Sequence, residues 1–529
     1  MYPGRFRWPA PPAEQGIVVT DFKPKWPSRL TGKALAASLL IAFSALQAPC
    51  AYAQPALPTL GDGLELTTSA ERRIGDSIIR ELYRDPDYVD DPVLQEYVQG
   101  IFQSLVAAAR ARGELSPELE ERFAWEILLG RDRTVNAFAL PGGYMGVHLG
   151  LIGVVASRDE LASVMAHELS HVTQRHIARL MAQQQRTTPL MIGAMVLGAL
   201  AASKSPNAGQ ALMVGGQALA VQNQLNFSRD MEREADRMGY GLMAPAGFAP
   251  EGFVSMFDKL QQANRLNDNG SWPYLRSHPL TTERMADMHA RLPAGQASMP
   301  LPVATLEHAM LAARARVLSR PGVDLLRQWA AEPASTGFAA QPLPKRAAAW
   351  YAAALSQAQL RDWAGARRML EPLRQAVQGD ASALRQARLL AAEVELQAGQ
   401  PEAALQYLPA AGGTRPDLAL RSQTLVRLGR GGDATSALET WLATHPQDAT
   451  LWQLLASAWQ QQGQPLRALR AEAEARAAHY DYAAAVDRFK AGQELARKRN
   501  GPNDYIEASI IDTRLRAMES RLREQAAER

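Results

Sequence analysis

The stretch Val164-Met-Ala-His-Glu-Leu-Ser-His-Val172 decides how this chain is read. It carries His167-Glu168-x-x-His171, and helix positions four apart share one face, one turn from each other. Two imidazoles so placed can reach a single Zn²⁺ at roughly 2.0–2.1 Å. Glu168 lies to the side of that pair. It is too near in sequence to be a comfortable third ligand, and well placed to take a proton from an attacking water. The spacing supplies two ligands and a base, the core of a metallohydrolase site.

The surroundings favour a helix. Ser157 and Glu160 have capping-box spacing, and Leu161, Val164, Met165, Leu169 and Val172 form an apolar stripe of helical period. No Gly or Pro interrupts from Ser157 to Thr188. A catalytic zinc usually takes three protein ligands and keeps a fourth position open. Downstream, Glu232-Arg-Glu-Ala-Asp236 places Glu232 and Asp236 on one helix face. Glu232 is the candidate third ligand. Asp236 can accept the outer N–H of a ligand histidine, fixing its tautomer. Glu234 falls about 160° round the helix and should point away from the metal.

With these residues in view the chain resembles the gluzincin group that holds HtpX, the CAAX prenyl proteases, the mitochondrial Oma-type proteases and the BepA-type, β-barrel assembly-enhancing proteases. Two further segments agree: Asn136-Ala-Phe-Ala-Leu-Pro-Gly-Gly143 ahead of the metal helix, and Ser277-His278-Pro279-Leu280 with Glu283-Arg284 after the glutamate helix. The resemblance runs from Leu66 to Leu292 and, taken with the rest of the chain, is strongest to the BepA-type proteases. It implies one Zn²⁺ per chain and a loop that lies over the site. His278 on that loop, held extended by Pro279, either fills the fourth zinc position at rest or donates to the oxyanion during attack.

Phe123–Leu129, Val135–Leu140 and Tyr144–Leu149 read as strands, with Pro141-Gly142-Gly143 as a turn. They predict a small antiparallel sheet beside the metal helix. By the resemblance, Asn136, Ala137, Phe138, Ala139 and Leu140 form an edge strand that pairs with an extended substrate backbone. Leu66–Gly113 reads as helices broken between Arg84 and Pro92. His148, His176, His289, His308, His445 and His479 lack ligand spacing and read as structural. His176, five residues past His171, falls about 140° round a continuous helix.

The N-terminal segment reads as an export signal. Arg5, Arg7, Lys23, Lys25, Arg29 and Lys33 precede the apolar run Ala34–Leu46, and Ala51-Tyr52-Ala53 offers small residues for cleavage after Ala53. The run is too short to span a bilayer comfortably, and the alternative is a retained anchor. Cys50, the only cysteine, lies inside this segment, so the mature chain has no disulfide and depends on its core and its metal. The net charge of +3 and the absence of a basic stripe with interleaved aromatics disfavour nucleic acid. Pro189–Ala202, PLMIGAMVLGALAA, is the most apolar stretch of the mature chain. It is a buried helix, a lid, or a surface touching a membrane or an unfolded client.

From Thr305 the composition shifts to Ala, Leu, Gln and Arg, and similar segments recur. Aligned alanines Ala366, Ala404, Ala437 and Ala468 are 38, 33 and 31 residues apart, bracketing the tetratricopeptide period of about 34. Trp452-x-x-Leu455-Ala456-x-x-Trp459 fits the same repeat. The expected organisation is a signal at 1–53, a linker at 54–65, a protease domain at 66–295, a linker at 296–304 and helical repeats at 305–529. The fold class is α+β, mostly α. The expected function is an exported, periplasmic zinc metalloendopeptidase of a Gram-negative bacterium. It would act on unfolded or misassembled proteins, and by resemblance on outer-membrane β-barrel proteins, with the repeats contacting the barrel-assembly machinery. The competing reading is a chaperone or assembly adaptor acting through the repeats, with a residual or tightly gated zinc site.

Overall fold

The computed structural model describes residues 66–183, 228–265, 271–291, 304–410, 412–498 and 504–527. The export signal, the 54–65 linker, Pro189–Ala202 and most of the 296–304 linker fall outside the described residues. Among the described residues no helix is long and apolar enough to cross a membrane.

Helix α1 (Thr68–Arg84) starts at Thr67, whose hydroxyl accepts the Ala70 N–H at 3.2 Å. After the short strand β1 (Tyr88–Val89), helix α2 (Pro92–Ala111) starts with Pro at its first position, where the missing N–H costs nothing, and Asp91 as cap. The break expected between Arg84 and Pro92 is therefore where the structure has it. Helix α3 (Pro117–Arg122) leads into β2 (Glu126–Gly130), β3 (Ala137–Leu140) and β4 (Tyr144–His148).

The sheet order is β1-β2-β4-β3. It is mixed, not wholly antiparallel as expected: β2 pairs parallel with β4, while β1–β2 and β3–β4 are antiparallel. The cause is a crossover. The chain leaves β2, runs to the sheet edge to make β3, then turns back and inserts β4 between the two. The turn at Pro141–Gly143 needs positive φ at Gly142 (77°) and Gly143 (83°). A Cβ on Gly143 would come within 2.7 Å of the Phe123 Cβ, so glycine is required there on both counts.

Helix α4 (Leu149–Val154) follows β4, and helix α5 (Arg158–Thr173) carries the His-Glu-x-x-His stretch. Ser157 caps α5 through the Glu160 N–H at 3.1 Å. Only half of the capping box forms. The Glu160 carboxylate turns instead to the Ala156 N–H, Ser255 and Lys259. The uninterrupted run to Thr188 does not make one helix. Helix α5 ends at Thr173, Arg175 takes a left-handed φ of 52°, and α6 (His176–Gln183) starts on a new axis. Helices α7 (Arg229–Met243), α8 (Glu251–Arg265), α9 (Tyr274–Ser277) and α10 (Thr282–Ala290) complete the unit around the site.

The rest is helical: α11 (Leu306–Leu318), α12 (Val323–Ala331), α13 (Leu343–Gln359), α14 (Trp363–Val377), α15 (Ala381–Gln397), α16 (Pro401–Leu405), α17 (Arg415–Arg427), α18 (Gly432–Thr444), α19 (Ala449–Gln461), α20 (Pro465–Ala478), α21 (Tyr482–Lys498) and α22 (Asp504–Ala527). Short links join them into successive hairpins. Ala366, Ala404 and Ala468 are buried where helices cross; in the third segment Ala434, not Ala437, is the buried small residue.

Glu65–Arg529 form one compact unit. A single apolar core runs from Val89 on β1 through α2, α5, α8, α11 and α13 to Leu408. The segment entering α2 is acidic, and arginines of the later helices close on it. Arg314 binds Asp91 at 2.6 Å and Glu393 at 2.7 Å. Arg385 bridges Glu96 and Asp417, and Arg415 bridges Asp90 and Asp448, each second contact at 2.7–2.8 Å. Farther along, the Tyr480 hydroxyl lies 2.7 Å from that of Tyr144 on β4. The helical array thus holds the N-terminal end of α2 and strand β4.

Candidate metal centre

Four elements bring the site together. Helix α5 contributes His167, Glu168 and His171, and α7 packs across it with Glu232 and Asp236. The close crossing depends on Gly239, two turns beyond Glu232: a Cβ there would stand 3.0 Å from the Ala166 carbonyl and the His167 nitrogen. The turn after α9 delivers His278, and α10 delivers Arg284. All seven side chains are almost fully buried.

His167, His171, Glu232 and His278 each offer a ligand atom, and these atoms lie within 4.8 Å of one another. His167 Nε2 is 3.0 Å from His171 Nε2 and 3.2 Å from His278 Nδ1. Glu232 Oε1 is 3.0 Å from His278 Nδ1 and 3.4 Å from His171 Nε2. Three imidazole nitrogens and a carboxylate oxygen facing one point form a donor set suited to a divalent transition metal, zinc above all. Hydrogen bonds can join these facing nitrogens only where each pair holds one donor and one lone pair, whereas a divalent ion at that point would take every lone pair and the carboxylate oxygen together. The residues present therefore fit the expected ion.

Behind the ligands, His167 Nδ1 is 2.9 Å from Asp236 Oδ1, the contact expected of an acid that fixes a ligand tautomer. Arg284 holds Asp236 through two bonds of 2.6 and 2.8 Å, reaches Glu232 Oε2 at 2.8 Å and donates to the Pro279 carbonyl at 2.8 Å. One guanidinium thus ties a candidate ligand, its neighbour's backing acid and the His-Pro turn together. Burial alone would raise the Glu232 carboxyl pKa, but His278 and His167 beside it hold it well below the usual carboxylate range. Burial opposes a charge on His167, yet Asp236 and Glu232 raise its pKa to about 10 in the metal-free cluster. His171 goes the other way, pushed well down by burial and by the charge on His167.

Glu168 stands beside the cluster. Its Oε2 accepts the Ala139 N–H at 3.0 Å, and its Oε1 lies 3.3 Å from His278 Nε2. His278 thus presents Nδ1 to His167 and Glu232 of the cluster and Nε2 to Glu168. The Tyr274 ring stacks on it, centroids 4.6 Å apart, and the His278 N–H closes α9 on the Tyr274 carbonyl.

The five residues expected on the substrate strand divide. β3 is the sheet edge. The His148 N–H bonds the Asn136 carbonyl at 3.0 Å, so in this antiparallel pair Asn136, Phe138 and Leu140 direct their backbone groups at β4. Ala137 and Ala139 direct theirs outward, and Ala139 meets the Glu168 carboxylate. The Phe138 ring lies over Gly146, and Leu140 packs in the core with Ile74 and Tyr144.

Three participants were not legible as such. Arg284 belonged to a segment singled out only by resemblance, and its pairing with two acids of another helix has no local signal. Tyr274 carries no motif of its own: only the fold stacks it on His278. His176, set aside on the angle of a continuous helix, lies against His171 because that helix breaks.

A helix with two histidines and a glutamate, a second helix with a glutamate, and an edge strand alongside together define a metallopeptidase. Comparison with known proteins gives the family. The profile of peptidase family M48 matches residues 92–292. The β-barrel assembly-enhancing protease of Escherichia coli K12 is 31% identical over 440 residues, 80% of this chain and 85% of its own length. A putative β-barrel assembly-enhancing protease of Vibrio cholerae is 38% identical over 272 residues, 51% of this chain and 53% of its own length, so the match spans about half of that relative. The mitochondrial metalloendopeptidase OMA1 of Saccharomyces cerevisiae is 28% identical over 201 residues, 37% of this chain and 55% of its own length. The chain belongs to peptidase family M48, in the company of the β-barrel assembly-enhancing proteases, and is a metalloprotease.

Proposed function

We propose that the chain is an exported zinc endopeptidase of the periplasm of a Gram-negative bacterium, acting on unfolded or misassembled outer-membrane β-barrel proteins. The observation that carries the reading is the placement of Glu168 beside four convergent ligand atoms and against the outward N–H of an edge strand. His167, His171 and Glu232 would hold the ion, with His278 as a fourth donor at rest. A zinc ion in such a set supplies a Lewis acid that lowers the pKa of water and polarises a carbonyl.

The chain's own residues do the rest. An extended substrate segment adds to the edge of β3, using the outward groups of Ala137 and the Ala139 carbonyl, while Glu168 holds the Ala139 N–H. Glu168 removes a proton from the attacking water and passes it to the leaving amine. Asp236 keeps His167 in one tautomer, and Arg284 keeps both Asp236 and Glu232 charged and in place. His278 gates: it sits where a substrate carbonyl and water must come, and a client displaces it. Once displaced, its Nε2 face can donate to the oxyanion, so the two roles expected of it are successive positions of one side chain.

The helical hairpins from α11 onward are read as tetratricopeptide-type repeats, an array with a concave surface that would engage the barrel-assembly machinery. The names of the relatives point the same way. The buried position of His278 also favours a second reading, an assembly chaperone whose zinc site stays closed until a partner opens it.

The test is degradation of an unfolded β-barrel protein by the chain from Gln54, beside Glu168→Gln and His278→Ala, with zinc measured on each. Cleavage that falls about 10²–10⁴-fold in Glu168→Gln at unchanged zinc supports the protease and its base. Zinc-loaded protein that cleaves in no form, His278→Ala included, overturns it in favour of the chaperone.

A further inference from the structure

We propose that His176 and Glu234 are positioning residues that set the tautomer and orientation of the metal ligand His171. The inference rests on reading the His167, His171, Glu232 and His278 cluster as a metal site.

The geometry allows one assignment of protons. His171 turns Nε2 to the cluster, 3.0 Å from His167 Nε2 and 3.4 Å from Glu232 Oε1. A ligand nitrogen needs a free lone pair, so the ring proton of His171 sits on Nδ1. That nitrogen is 2.8 Å from His176 Nδ1, which must then accept. His176 consequently carries its own proton on Nε2, which lies 2.9 Å from Glu234 Oε2. The carboxylate is the acceptor that completes the series, and Arg179 Nη1 holds it at 2.9 Å. His176 is fully buried, so water does not substitute for either bond.

The pair exists because the helix breaks. In one continuous helix His176 would lie about 140° from His171. The left-handed φ of 52° at Arg175 separates α5 from α6, and the two rings meet edge-on with centroids 4.9 Å apart. A non-glycine residue in that region costs about 1–2 kcal/mol. Arg175 is held there by Glu71 at 3.2 Å and by the Leu66 carbonyl. The cost is met at the place that brings a second histidine to a ligand.

Helix α7 then backs both ligand imidazoles. Asp236 reaches His167 directly, and Glu234 reaches His171 through His176. Glu234 does point away from the cluster, as its helix position requires, yet it acts on the cluster from behind. Outer hydrogen bonds of this kind typically change metal affinity 10–100-fold.

The test is zinc affinity of the full chain, by competition with a chromogenic chelator, with far-UV circular dichroism to confirm folding. His176→Phe keeps the ring volume and removes both nitrogens. His176→Asn places an amide oxygen near the Nδ1 position and restores the acceptor. The expected result is a 10–100-fold loss of zinc affinity in His176→Phe, recovery to within a few-fold in His176→Asn, and loss again in Glu234→Leu. In the zinc-loaded protein, ¹⁵N NMR should report an Nε2–H tautomer for His176. Wild-type affinity in folded His176→Phe, equal losses in the Phe and Asn variants, or an Nδ1–H tautomer at His176 would each overturn the inference and leave the metal site standing. Failure of the wild-type chain to bind zinc at all would overturn the metal reading itself.

Discussion

Arg314→Met tests whether the protease helices and the helical array are one cooperative structure. Arg314 is buried on α11 and donates to Asp91 at 2.9 and 2.6 Å, to Glu393 at 2.7 Å and to the Tyr351 hydroxyl at 3.3 Å. Asp91 and Glu393 are themselves only 6% and 8% exposed. Methionine fills much of the volume and leaves both carboxylates in the interior with their countercharge gone. Breaking a buried pair by removing one partner costs about 3–5 kcal/mol. Domains of ordinary stability have about 5–15 kcal/mol in all, so the change is a large fraction of the total. Asp91 also caps α2 through the Leu94 N–H at 2.9 Å, so the loss should reach the protease helices and not only the array. The assay is urea unfolding of the zinc-loaded protein, followed by circular dichroism and by zinc release. Both probes should move together to lower urea, by an amount equivalent to about 3–5 kcal/mol. Adding Asp91→Asn, which keeps the cap acceptor, and Glu393→Leu should recover most of it, because the uncompensated charges are then gone. A loss under about 1 kcal/mol, or zinc release separated from the helical transition, would refute the reasoning.

Further outcomes follow from the same structure. Gly239→Ala should force α7 away from α5 at the Ala166–His167 backbone, displacing Glu232; zinc affinity should fall at least about tenfold with helix content kept, and unchanged affinity would show that the crossing relaxes cheaply. Asp90 gives a pH dependence. Burial would raise its pKa, but Arg415, with Thr450, holds it below the ordinary value of about 3.9. Its stabilising contribution is therefore complete above that value and is lost as pH falls through the depressed one. In Arg415→Met burial is opposed only by the Thr450 hydroxyl and His479, so the Asp90 pKa rises and its loss of stability on acidification shrinks; unfolding free energies at pH 5 and pH 3 should differ less in this variant than in the parent, and parallel slopes would sink the assignment.

The local chemistry of this protein is written in its sequence. Helical period and four-residue spacing set His167 with His171 and Glu232 with Asp236, because a helix converts those intervals into a shared face whatever surrounds it. The strands and the glycine turn were legible for the same reason, as was the change to paired helices after Thr305. The mixed sheet was not. Whether β4 lies beside β2 or outside β3 depends on a crossover that no interval in the sequence encodes. Nor was the break after Thr173, where neither Gly nor Pro marks it and Arg175 is held left-handed by Glu71, over a hundred residues distant in the chain. That break reassigned His176 and Glu234. The arginines that clamp Asp90, Asp91 and Glu96 were invisible likewise, since an isolated charge reads as solvated until its partner is known. Sequence alone determined which side chains were candidates to bind a metal and move a proton, because their pairing on a helix face is short-range geometry. Tertiary structure decided which residues hold them in place, because that depends on contacts between segments far apart in the chain.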